Sequence, residues 1–152
     1  MTDPLMFDSA SPRFGLPLLY AEQAQKEVFV NEAFVLTDAL LHCSIEGETG
    51  TPPPAPTQGE TWLVAAGATG DWEGREGALA CFSANSWTFI QPRDGLRVFD
   101  VSTGQENLFF GFWRKASAPL EPQGGTTVDV EARAAIGLLI DALRVVGAFP
   151  TE

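Results

Sequence analysis

Glu60–Gln91, ETWLVAAGATGDWEGREGALACFSANSWTFIQ, decides the fold. Three short runs, TWLVAA, ALACFS and SWTFIQ, are rich in aromatic and β-branched residues, and between them lie GATGDWEGREG and SAN, which supply Gly, Asn and Asp where a turn needs them. In SWTFIQ the side chains alternate: Trp87, Phe89 and Gln91 point one way, Thr88 and Ile90 the other. The same rhythm continues in LRVFDV and NLFFGFW, separated by PRDG and STGQ. Residues 60–118 therefore predict a small antiparallel sheet or open barrel of about five strands.

Toward the N-terminus, residues 45–59 (IEGETGTPPPAPTQG) hold four prolines and three glycines, which predicts a semi-rigid, polyproline-like linker. Residues 18–44 predict a helical hairpin. Helix formers run to Lys26, the Val28–Val30 triplet breaks them, and Asn31 caps a second helix with Glu32 in its first turn, where the helix dipole favours an acid. Gln23, Gln25 and Lys26 then read as a structural hydrogen-bonding cluster that holds two helices, and a neighbouring subunit, in register. Residues 1–17 carry three prolines among Leu5, Met6, Phe7 and Phe14, a composition that fits an extended arm lying on this domain or on a neighbour.

Toward the C-terminus, residues 127–147 predict the clearest helix, capped by Asp129 or Thr127, with Arg144 in the last turn and Gly147 at the position after the cap. Ile136, Leu139, Ile140, Leu143 and Val146 form a stripe that Leu138, Ala142 and Val145 widen beyond what a surface helix needs. Such a helix either threads the core of its own domain or packs against copies of itself. The expected fold is α+β in one globular unit: N-terminal helical hairpin, small sheet or barrel, C-terminal apolar helix.

A net charge of −11, with nine Lys and Arg in 152 residues, excludes the clustered cations that nucleic acid or an anionic membrane would require. No apolar stretch approaches the ~20 residues of a bilayer span. The N-terminus has no charged-then-apolar leader, which predicts synthesis and folding in the cytosol. Cys43 and Cys81 are too few for a disulfide framework and read as buried thiols. One histidine, His42, beside one of two cysteines makes neither a zinc set nor a dyad, because adjacent residues on a helix diverge. No cofactor is expected. Asp71, Glu73 and Glu76 are the single carboxylate group that could serve a cation or a hydrolase, against the plainer reading of a solvated acidic hairpin. Of four tryptophans, Trp72 falls in a turn between acids and is the candidate ligand platform or interface anchor.

Two patterns carry a resemblance. Gln23, Gln25, Lys26, Asn31, Glu32 and Ala33 fit Q-x-Q-K-x-x-x-x-N-E-A; Gly59, Trp62, Leu63, Val64, Gly67, Ala68, Thr69, Gly70, Trp72 and Gly74 fit G-x-x-W/Y-L-V followed by G-A-T-G-x-W-x-G. In this order, with the C-terminal helix, the chain resembles a family of uncharacterised phage structural domains found in tail-fibre-type proteins and in the head spikes of gene transfer agents. The resemblance implies a non-enzymatic virion protein assembled in the bacterial cytoplasm. As the homo-oligomeric base of a head spike or fibre, it would link a capsid protein at a vertex to a separate receptor-binding spike or fibre protein. The alternative it leaves open is a carbohydrate-binding module that holds host polysaccharide, with Trp72 as its best residue.

Overall fold

The computed structural model describes Leu18 and residues 26–120, 124–125 and 128–151; of residues 26–29 it describes the backbone. The described chain is α+β, with two α-helices and eight short strands, and it divides into two compact units between Pro92 and Arg93.

The first unit opens with α1, Lys26–Leu40, one continuous helix. The expected break at Val28–Val30 and the cap at Asn31 are both overturned: Asn31 lies inside the helix and is 2 % exposed. The helix penalty of β-branched residues is only a few tenths of a kcal/mol each, and burial of an inward face made by Asn31, Val35, Asp38 and Ala39 outweighs it. The other half of the expected hairpin, with Gln23 and Gln25, lies outside the described residues, as does the 1–17 arm. After α1 come two strand fragments, β1 (Ser44–Ile45) and β2 (Glu48–Thr49).

Beyond the prolines, β3 (Thr61–Val64), β4 (Leu79–Ser83) and β5 (Ser86–Ile90) follow the three runs of the deciding stretch. The sheet order is β2-β3-β4-β5, with β2 parallel to β3 and the other pairs antiparallel. The proline-rich stretch is thus a crossover between neighbouring strands, pairing Glu48 with Leu63 on its far side. It also reaches across the sheet. Gln58 Oε1 accepts from Ala84 N at 2.9 Å and its Nε2 donates to Asn85 Oδ1 at 2.8 Å. Ala84 and Asn85 form the two-residue β4–β5 turn with φ of 49° and 58°, the doubly left-handed geometry that matches strand twist. Val64, Ala68, Trp72 and Ala80 form the core, with Trp62, Trp87 and Phe89 packed around them.

The second unit is built on a meander of β6 (Arg97–Asp100), β7 (Gln105–Phe110) and β8 (Phe112–Arg114). The run NLFFGFW becomes two strands because Gly111, at φ 72°, folds Phe112 back against Phe110. One face of the meander is buried and largely polar: Val98, Asp100, Gln105 and Asn107. Asp100 Oδ1 accepts from Ser102 N (3.0 Å) and Ser102 Oγ (2.6 Å), and Lys115 Nζ lies 3.6 Å from its other oxygen. Gln105 Nε2 donates to the carbonyls of both Ala116 and Ala148.

α2, Val130–Val145, begins on Asp129, whose carboxylate accepts from Ala132 N at 2.8 Å. It ends in a Schellman motif: Ala148 N donates to Leu143 O (2.8 Å) and Gly147 N to Arg144 O (2.9 Å), with Gly147 at φ 71°. The segment after the helix then runs beside β7, since Glu106 N donates to Gly147 O (2.7 Å) and Thr151 N to Thr103 O (2.8 Å).

Candidate functional site

Trp72 is not a platform. It ends a 3₁₀ turn, Gly70–Trp72, and is 0 % exposed, with its ring edge-on to Trp87 at 5.0 Å and 84°. An indole flanked by Asp71 and Glu73 looked solvated because both acids are exposed, but the turn points them outward and the ring inward. Glu76 is exposed too, and its Oε1 accepts from Ala68 N at 3.3 Å. Among the described residues no group of three or more His, Cys, Asp or Glu side chains is placed to hold a metal ion. Cys43 and Cys81 are buried and form no disulfide, and His42 is exposed in the turn after α1.

The Glu60 carboxyl has a displaced titration. Burial pushes it up, but hydrogen bonds from Thr57 and from Trp62 Nε1 (3.2 Å) outweigh that and hold it below its ordinary value of 4.5. Its role is to tie the crossover to β3.

The distinctive surfaces are apolar. On α1 the inward face is half polar, while Val30, Ala33, Phe34, Thr37, Leu40 and Leu41 are exposed. Their spacing, i, i+3, i+4, i+7, i+10 and i+11, places them on one side of the helix, which Leu41 extends by donating its N–H to Thr37 O. On α2 the same spacing recurs at Ala135, Leu138, Leu139, Ala142, Val145 and Val146, all exposed, with Leu138 at 71 % and Val145 at 86 %. Of the stripe expected from the sequence, Ile140 is buried and Leu143 half-buried, whereas Ile136 and Leu139 are exposed. Of the two arrangements expected for α2, threading the core of its own domain does not fit the exposure of Leu138, Leu139, Val145 and Val146. Its inward side runs through Ile140 and Leu143, and the turn after it packs Gly147 against Phe99, so the larger apolar face lies outward.

A third exposed surface is the outer face of the meander. The register puts Phe99, Leu108, Phe110, Phe112 and Arg114 on one side. The Arg114 guanidinium lies 4.9 Å from the Phe110 ring centroid and 4.7 Å from that of Phe112, a cation against both rings at the hairpin tip. Arg97 and Glu106 pair across the same face at 3.0 Å. Soluble monomers seldom leave apolar side chains contiguous on helix and sheet faces in this way. Lys26 and Glu32, the other residues singled out in the sequence, begin α1 and stand exposed on it, respectively.

A family of proteins of unknown function, DUF2793, has a sequence profile that matches residues 30–114, from α1 to the end of β8. The chain belongs to the DUF2793 family. That span takes in the α1 face, the Trp72 core and the aromatic hairpin tip, and in this DUF2793 protein α2 follows it. No curated protein matches the chain. Among the described residues no helix of the DUF2793 chain is long and apolar enough to cross a membrane.

Proposed function

We propose that this DUF2793 protein is a homo-oligomeric structural component of a phage or phage-like gene transfer particle, the base of a head spike or fibre. In that role it joins a capsid protein at a vertex to a separate spike or fibre protein that meets host polysaccharide. The observation that carries the reading is the outward display of apolar residues on α1, α2 and the β6–β7–β8 face, a surface suited to permanent assembly. The sequence resemblance to phage structural domains supplies the kind of assembly. The carbohydrate-module alternative loses its best residue with Trp72 in the core.

Electron cryomicroscopy of particles from cells with and without the gene tests the proposal. The expected result is the loss of a projecting density at defined positions, restored by supplying the chain in trans. Particles that keep every projection in its absence refute it.

A further inference from the structure

The two exposed helix faces match. Each offers six residues at the same seven-residue-based spacing, α1 from Val30 to Leu41 and α2 from Ala135 to Val146, and no charged side chain interrupts either. Two helices with that spacing pack side by side with knobs in holes. Their sizes also complement: α1 presents Phe34, Leu40 and Leu41, whereas α2 has Ala135 and Ala142 at the repeating position between its leucines and valines. Large side chains on one helix entering gaps left by alanines on the other is the pattern that fills an interface to interior density.

Charge points the same way. Twelve of the twenty acidic residues precede Arg93, and six of the nine basic residues lie at or beyond it. Glu46, Glu48, Asp71, Glu73 and Glu76 are exposed on the first unit; Arg93, Arg97, Arg114 and Lys115 are exposed on the second. By sequence the first unit carries a net charge of −9 and the second, whose exposed bases sit among Asp94, Glu106, Asp129, Glu131 and Asp141, only −2, so contact between two first units meets stronger repulsion than contact between a first and a second. A contact of α2 with another α2 would in addition leave every α1 face bare. We infer that α1 of one copy docks on α2 of a second copy, so that the chain assembles head to tail through these two faces. Such a heterologous contact leaves each copy free to bind one neighbour on each side, and it closes a ring or runs on as a filament.

The inference rests on the homo-oligomer part of the proposal above and not on the particle, so its test uses the purified full chain alone. Phe34→Lys spoils the α1 face and Leu138→Glu the α2 face, each at an exposed position. Native mass spectrometry at micromolar concentration should find the parent as an oligomer and either variant alone as the 16.3 kDa monomer. An equimolar mixture should give a one-to-one dimer of twice that mass, because an intact α1 from one variant meets an intact α2 from the other. Assembly of Phe34→Lys alone would mean that α2 pairs with α2 and would overturn the inference. So would assembly of Leu138→Glu alone, a monomeric parent or a mixture that stays monomeric. Circular dichroism checks the fold of each variant; where one fails to fold, Thr37→Lys or Ala142→Glu probes the same face and is held to the same outcomes.

Discussion

Replacing Trp72 with Ala should unfold the first unit's core far more than a surface substitution would. The ring is enclosed by Val64, Ala68 and Ala80, with Trp62, Trp87 and Phe89 beyond. Two of those neighbours are already alanines, so little can move in to fill the space, and the loss belongs at the upper end of about 3–5 kcal/mol for an aromatic-to-alanine change. That includes about 0.5–1.5 kcal/mol from the edge-to-face pair with Trp87. Against a total stability of about 5–15 kcal/mol, the variant retains a marginal first unit. In melting temperature the drop is on the order of 10 °C, at about 2–4 °C per kcal/mol for a chain of this size. Trp72→Phe keeps most of the shape, and among the described residues the indole N–H has no acceptor to lose, so its cost should stay at about 1–2 kcal/mol. Far-ultraviolet circular dichroism during urea and thermal unfolding reads both variants. A Trp72→Ala protein within about 1 kcal/mol of the parent would refute the argument and return Trp72 to the surface.

Asp129→Ala removes the α2 cap and should cost about 1 kcal/mol, visible as faster amide exchange at Ala132 and Arg133 with the first unit unchanged. Gly147→Ala forces a left-handed φ of 71° on a residue with a Cβ and places that atom 3.2 Å from the Phe99 ring, so a loss of about 1–2 kcal/mol in second-unit stability should follow, measured by urea midpoint. Glu60 has a depressed folded-state pKa, so its contribution is present above the ordinary 4.5 and is lost as pH falls through the folded value. Glu60→Gln should accordingly flatten the acid limb of the stability profile, and an unchanged acid limb would remove Glu60 from that role.

Local features were legible in the sequence, and non-local ones were not. The runs TWLVAA, ALACFS and SWTFIQ became β3, β4 and β5 because each neighbour is joined by a turn whose residues announce it. Asp129 and Gly147 likewise bound α2 through contacts within a few residues. The parallel pairing of Glu48 with Leu63 escaped, since nothing within the Pro-rich stretch signals a partner beyond it. Gln58 gripping the Ala84–Asn85 turn escaped for the same reason. For α1, propensity at Val28–Val30 was weighed without the tertiary face that overrode it, and Asn31, a good cap in isolation, is held in the interior instead. On α2 the sequence showed too many apolar positions for one face; that Ile140 rather than Leu138 or Leu139 turns inward is fixed by contacts far away in sequence. Of the residues singled out for assembly, Ile136 and Leu139 stand exposed on α2, Ile140 and Leu143 turn inward, and Trp72 lies in the core.

The backbone bonds from Glu106 to Gly147 and from Thr151 to Thr103, together with the Gln105 side chain gripping Ala148, have a mechanical meaning. They join the segment that follows α2 to β7 and to the turn before it. Tension applied to α2 therefore passes directly into β7 through several links loaded at once, and β7 shares it with β6 and β8 on either side. A helix hung from a single flexible tether would peel away under the same pull. Here the handle and the sheet yield together or not at all.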